Sequence, residues 1–366
     1  VVTAAMDSGY YAGFQIYNTL SASVVNEGSV SGNRVGGYLH TNAGGAILMQ
    51  NSGSITAERD AVMVQGDGRV QIINTGSLTG PQKGITNVFS LMSNAAVDIT
   101  NTGTISGGIF AVETGGGADR LINQGTLFGA VSLGAGDDFF DGRGGRTDAV
   151  LNGGAGNDLF ILGDSDEVVD GGVGAGDAVD FRGNLSVTVA LDGSLANLGR
   201  AEGDFYSNIE NIYGSAVGDR LIGDAAANTL LGRGGNDVMA GGGGADKLRG
   251  GFGVDTLTGG ADDDSFIFGS LGDAGDVITD FGAVAGNNDR FQISASLGGL
   301  VVGVLPPSAF QSRADNLAQD LSDRFIFRLS DATLWFDRDG TGAIAPVLLA
   351  DLQAGAVVTA VDLIIF

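Results

Sequence analysis

The stretch LLGRGGNDVMAGGGGADKLRGGFGVDTLTGG, residues 230–260, combines abundant glycine with an acid that returns on a fixed beat. Asp237, Asp246, Asp255 and then Asp264 stand nine residues apart. Read outward, the beat covers residues 214–267 as six nonapeptides: GSAVGDRLI, GDAAANTLL, GRGGNDVMA, GGGGADKLR, GGFGVDTLT and GGADDDSFI. In such a unit the glycines allow positive φ and close backbone approach in a turn. The last three residues form a short strand. The apolar eighth residue (Leu221, Leu230, Met239, Leu248, Leu257, Phe266) points inward. Two units make one coil of 18 residues, so each sixth position stacks on the sixth position two units later. One row then holds Asp219, Asp237 and Asp255, and the other holds Asn228, Asp246 and Asp264.

Adjacent coils of a parallel β structure lie about 4.8 Å apart. Carboxylates at that spacing repel by roughly 1 kcal/mol per pair even at the dielectric of water. A hard divalent cation between turns reverses the sign. Calcium suits such turns because it accepts six to eight oxygens in flexible geometry, from carboxylates and from carbonyls such as those of Gly234, Gly243 and Gly253. The chain has no Cys and one His, which leaves zinc or copper few ligands.

A looser version precedes this block. Asp119, Asp138, Asp158 and Asp177 are spaced by 19, 20 and 19, with Asp148 and Asp166 interleaved 18 apart. Two rows of acid imply a two-sided coil here too. Further upstream the phrase changes to VVNEGSVSG, LMQNSGSITA, IINTGSLTG, ITNTGTISG and LINQGTLFG. Its asparagines, Asn26, Asn51, Asn74, Asn101 and Asn123, recur every 22 to 27 residues. That length fits one larger coil of a parallel β-solenoid, with Asn side chains stacked from coil to coil; a β-sandwich is the competing arrangement.

The expected fold class is therefore all-β. A parallel β-helix (residues 1–113) leads into a first acid-lined β-roll (114–180), insert strands (181–213), a second roll (214–267) and a mainly β capping domain (268–366). In the last, a short helix is expected near RADNLAQDLSD and a hairpin over RFIFRLSDATLWFDRDGTGA. The start, VVTAAMDSGYYAGF, reads as apolar and strand-like, without the pattern of a cleavable signal peptide.

The nonapeptides resemble those of the RTX (repeat-in-toxin) family, whose fold is a calcium-filled parallel β-roll. IENIYGSAVGDRLIGDAAANTLLGRGGND is similar to the segment that opens the roll in serralysin-type proteases. DSFIFGSLGDAGDVITDF resembles the segment just after it, and by that resemblance Asp273, Asp276 and Asp280 hold a further ion. The last residues, AVDLIIF, resemble an uncleaved type I secretion signal, implying passage through the type I secretion machinery and a secreted or cell-surface location. The N-terminal third resembles the repeats of autotransporter and adhesin β-helices.

Composition narrows the partners. The net charge is −25, of which residues 131–366 carry −22, so nucleic acid and anionic membranes are disfavoured and cations attracted. No apolar run is long enough for a transmembrane helix. No HExxH or GxSxG occurs, and His40 stands alone, so no catalytic residues are assigned. The cluster Glu58, Arg59, Asp60, Asp67 and Arg69 reads as a salt-linked turn; a polysaccharide lyase or epimerase would have to use it. The functional expectation is a secreted calcium-binding structural protein that self-associates head to tail into a filament, surface layer or matrix fibre. A monomeric adhesin or module binding surface polysaccharide is the alternative.

Overall fold

A computed structural model describes residues 12–18, 20–87, 95–147, 150–282 and 287–366. It contains two compact units, residues 1–180 with 200–209, and residues 181–199 with 210–366.

In the first unit the chain climbs in parallel coils. One wall stacks Ser21–Asn26, Ala46–Asn51, Arg69–Asn74, Val97–Asn101, Arg120–Asn123, Phe139–Asp141, Leu159–Ile161 and Ala178–Asp180 in that order. The opposing wall runs from Ala12–Asn18 through Val35–Thr41, Asp60–Gly66, Lys83–Thr86, Thr104–Glu113, Thr126–Ala135, Val150–Ala155 and Val168–Val173 to Phe205–Ser207. A third, short column (Ser29–Gly32, Ser54–Ala57, Ser77–Gly80) runs on through the first residues of Thr104–Glu113 and of Thr126–Ala135 to Arg146–Thr147, where it ends. Beyond that strand the coil goes from three-sided to two-sided.

Alternation in each strand sends one set of side chains inward. Ile47, Met49, Val70, Ile72, Ile99, Leu121, Phe140 and Phe160 from one wall are at most 2% exposed, as are Leu39, Val62, Ile85, Val112, Val131 and Leu151 from the other. Full burial of each such side chain contributes about 1.5–3 kcal/mol.

The second unit repeats the two-walled plan. Asn211–Tyr213, Thr229–Gly234, Lys247–Phe252, Ser265–Phe268, Arg290–Ile293 and Leu363–Ile365 pair in parallel, and Gly303–Val304 closes the edge antiparallel. The other wall stacks Val187–Ala190, Arg220–Ile222, Val238–Gly242, Thr256–Gly260, Asp276–Ile278 and Val347–Leu352. The six position-eight residues from Leu221 to Phe266 are all buried, in the register the nonapeptide demands. All-β parallel solenoid architecture is therefore what the chain adopts. Among the described residues, no helix is long and apolar enough to cross a membrane.

Two expectations change. Residues 181–213 are not set aside from the coils: Val187–Ala190 pairs in parallel with Arg220–Ile222, and Phe205–Ser207 pairs in parallel with Val168–Asp170. The connections at residues 182–186 and 192–196 are exposed. The helix expected near RADNLAQDLSD is absent, because the buried Asp323 carboxylate accepts the N–H groups of Gln319 (2.6 Å) and Asp320 (3.3 Å) and folds the segment into turns. The hairpin does form, with Phe325 opposite Phe336.

Candidate metal centre

The N-terminal coils show how a polar column satisfies itself. Asn26 Nδ2 donates to Asn51 Oδ1 at 2.7 Å, Asn51 to Asn74 at 2.7 Å, Asn74 to Asn101 at 2.8 Å and Asn101 to Asn123 at 2.8 Å. An amide carries both donor and acceptor, so the column closes on itself.

The aspartate columns have the same stacking but only acceptors. In the first unit Asp119 Oδ1 accepts Val97 N–H (2.7 Å), Asp138 accepts Asp119 N–H (2.7 Å), Asp158 accepts Asp138 N–H (2.9 Å) and Asp177 accepts Asp158 N–H (2.7 Å). In the second unit Asp237 accepts Asp219 N–H and Asp255 accepts Asp237 N–H, both at 2.7 Å. On the facing row Asp246 accepts Asn228 N–H (2.7 Å) and Asp264 accepts Asp246 N–H (2.9 Å). One oxygen of each carboxylate is thereby used. The other, Oδ2 of Asp119, Asp138, Asp158, Asp237, Asp246, Asp255 and Asp264, is buried and has no protein partner.

The orphaned oxygens of Asp158, Asp237, Asp246, Asp255 and Asp264 sit where a glycine leaves room. A Cβ on Gly232, Gly241 or Gly153 would collide with Oδ2 of Asp237, Asp246 or Asp158, and would lie 2.6 Å from the carbonyl oxygen of Gly250, Gly259 or Gly171 in the next coil. A bare carboxylate oxygen and a carbonyl oxygen thus converge on one vacant point, coil after coil. Among the described residues no three acidic or imidazole side chains gather into a metal-holding cluster. An ion here draws on paired carboxylates and backbone carbonyls, the all-oxygen donor set of calcium.

Electrostatics agree. Burial pushes Asp237, Asp246 and Asp264 up to about 7 and Asp138 to about 8, against the opposing effect of their backbone hydrogen bonds. Neighbouring carboxylates in the column raise them further. Buried like charges of this kind persist as anions only with a counter-cation.

The remaining sequence candidates fall in different places. Asp219 and Asn228 head their rows and are satisfied by protein groups: Asp219 by Val187 N–H, Ser215 N–H and Ser215 Oγ, and Asn228 by Asp224 N–H and the Glu210 carbonyl. Asp276 continues the first row, accepting Asp255 N–H at 3.0 Å. Asp280 instead caps the N–H groups of Gly259 and Gly260, and Asp273 pairs with Arg249 at 2.8 Å, so the three acids do not share one centre. A Cβ added at Gly234 or at Gly243 would find its nearest heavy atom 3.6 Å away, so sterics do not demand glycine at either position. Gly253, at φ +140°, presses against the Gly235 carbonyl. Asp148 lies outside the described residues. Asp166 is exposed, and the neighbouring Glu167 occupies the buried column position.

Sequence reasoning missed Asp289, which continues the second row by accepting Asp264 N–H at 3.0 Å, and it missed Glu167 and Asp204. Of the cluster around Arg59, Arg59 Nε pairs with the buried Asp60 Oδ2 at 2.7 Å, at the start of a strand, whereas Arg69 pairs with Asp98, outside the cluster, at 3.5 Å.

A parallel solenoid whose turns are lined by acid columns and glycine cradles defines a class of calcium-binding β-roll proteins. Three stretches, residues 143–177, 213–248 and 241–274, match the family model of the RTX calcium-binding nonapeptide repeat (4 copies). These stretches are RTX-type repeats, and repeats of that type bind calcium. No curated protein matches it.

Proposed function

We propose that the chain is a secreted structural protein whose rolls fold on extracellular calcium and which then associates with further copies head to tail, as a filament, surface layer or matrix fibre. In the calcium-poor interior of a cell the acid columns repel and keep the chain open enough to thread the type I secretion machinery. Outside, the ion binds the folded state alone and draws the equilibrium toward it.

The observation that supports self-association is an edge. Gly303–Val304 is the last strand of its sheet, and Val301, Val302 and Val304 are 82%, 68% and 70% exposed, beside exposed Val361 and Phe366. An uncovered apolar edge is a template for another strand, and a contact with a different surface of the next copy propagates without closing. Electron microscopy and light scattering with calcium and with chelator test this. Ordered polymers that appear with calcium and vanish in Val302→Lys are expected; a calcium-loaded protein that stays monomeric at high concentration overturns it.

A second reading rests on the outer wall of the first coils. Tyr17, Tyr38 and His40 form a triangle of rings with centroids 5.5 to 6.4 Å apart, next to a 220 Å³ cleft lined by Gln15, Arg34 and Arg59. Such a cluster suits contact with sugar rings, as in a polysaccharide-binding adhesin. Titration with surface polysaccharide, and its loss in Tyr38→Ala, separates the two readings.

A further inference from the structure

The third column of the first unit has no part in the acid rows, and its outer face carries a pattern of its own. Its strands pair in parallel with Ser29 on Ser54, Ser54 on Ser77, Ser77 on Thr104 and Thr104 on Thr126. Two residues along, Ser31 lies on Thr56, Thr56 on Thr79 and Thr79 on Ser106. Between the two files Ile55, Leu78, Ile105 and Leu127 point into the core and are fully buried. Alternation therefore turns the hydroxyls outward. Ser29, Ser31, Thr56 and Thr79 are exposed, and Ser54, Ser77, Thr104, Ser106 and Thr126 are partly so.

Buried amides hold these rungs in place. Asn26 Nδ2 donates to the Ser54 carbonyl at 3.2 Å, Asn51 to that of Ser77 at 3.2 Å, Asn74 to that of Thr104 at 3.1 Å and Asn101 to that of Thr126 at 3.4 Å. The column that joins coil to coil thus also pins the first residue of each strand. Register is unbroken along both files, and the first shift comes only after Ser106.

Rungs about 4.8 Å apart, with about 6.7 Å between alternate residues of one strand, set the oxygens on a rectangular net. From Ser29 to Thr126 the net is about 19 Å tall by the same spacing. Its files carry no ionic side chain until Arg146 follows Thr126, and no aromatic ring until Phe128 follows Ser106. In a chain of net charge −25, an uncharged face selects a neutral ligand. A face without rings gives sugars nothing to stack on. The two periods of the net are instead close to those of oxygen atoms on a prism face of crystalline ice. There each lattice site both donates and accepts a hydrogen bond, as a hydroxyl does.

We propose that this face binds ice. The hydroxyls of Thr56, Thr79, Thr104 and Thr126 take lattice positions in the outermost water layer, and their methyl groups fill the gaps between them. Because the amide column has already fixed the rungs, little further ordering is needed on binding. The site lies outside the nonapeptide repeats and goes beyond both readings above.

The calcium-loaded full chain, fluorescently labelled, is expected to be taken up into a slowly growing ice hemisphere and to slow ice recrystallisation. Thr79→Tyr sets a bulky ring in the middle of the exposed file and is expected to reduce both effects several-fold. Thr56→Lys, a second exposed change in that file, is expected to do the same. Gln71→Tyr puts the same ring at an exposed position of a different wall and leaves both effects unchanged. Circular dichroism and calcium titration that match the wild type guard against misfolding. Exclusion of the wild-type chain from ice to the level of serum albumin overturns the assignment, as does undiminished uptake in both Thr79→Tyr and Thr56→Lys. Capture on microcrystalline cellulose through Thr79, without uptake into ice, also overturns it and gives the face to a glycan.

Discussion

Asn228 Nδ2 donates to the carbonyl oxygen of Glu210 at 3.2 Å, and its Oδ1 accepts Asp224 N–H at 2.7 Å. An amide therefore terminates the row that Asp246 and Asp264 continue, and its NH2 group stands where a cation would otherwise face that carbonyl. Asn228→Asp removes the donor and sets a carboxylate against the carbonyl. Without calcium the variant is expected to lose about 1–3 kcal/mol, the cost of an unsatisfied buried group. With calcium the loss shrinks or reverses. Thermal melts in chelator and in excess calcium check this; equal losses in both would refute it.

Gly241 offers a steric test of the cradle. Its alanine variant would drive a Cβ into Asp246 Oδ2 and to 2.6 Å from the Gly259 carbonyl. The expected result is weakened calcium binding together with a loss of about 1–3 kcal/mol typical of overpacking. Gly28→Ala serves as the control, since nothing lies within 4 Å of the added atom. Calorimetric titration of both variants decides the matter.

The acid columns also set a pH dependence. Their carboxyls are raised by burial from an ordinary 3.8 to about 7 at Asp237 and Asp246 and to about 8 at Asp276. Across that window the ion-free folded state holds protons that the unfolded chain has released, so its stability falls as pH rises. Calcium must displace the same protons, so its affinity rises over the same range. In chelator, circular dichroism is expected to show more β structure at about pH 5 than at about pH 8, by the same linkage. The calcium midpoint is expected to move the opposite way, toward tighter binding at the higher pH. Binding that does not change with pH would contradict the assignment of these carboxyls.

The asparagine column makes a contrasting prediction. Asn74 accepts from Asn51 Nδ2 at 2.7 Å and donates to Asn101 Oδ1 at 2.8 Å, fully buried. Asn74→Ala leaves Asn101 Oδ1 without its donor, at a cost of about 1–3 kcal/mol, while Asn51 Nδ2 keeps the Gly53 and Ser77 carbonyls. Chemical denaturation should show this destabilisation equally with calcium and with chelator. Rescue by calcium would show that the column is not the ion-independent element its geometry implies.

Periodic positions were legible in the sequence because their chemistry repeats. The nonapeptide set the inward register of Leu230, Leu248 and Phe266, and the Asn phrase marked the column from Asn26 to Asn123. Aperiodic positions were not. Asp289 follows a break in the repeat, so no spacing points to it. Asp204 sits in GRAEGDFYS, where the glycine pattern is diluted and position eight is Tyr206. Glu167 escaped because Asp166 beside it has the expected residue type, and only burial tells the two apart. The segment before Asp323 carried a helical pattern that its buried carboxylate overrode.

Arg120–Asn123 is a strand with two different ends: Asp119, whose spare oxygen is bare, precedes it, and Asn123, whose amide is engaged on both sides, closes it. Coils on the amide side need nothing from the medium, whereas those on the acid side wait for an ion. The first can wind early and offer a finished rung to the second. Arrival of calcium then need not start a coil from nothing but only extend one, which replaces a slow nucleation event with fast, directional growth from a ready-made seed.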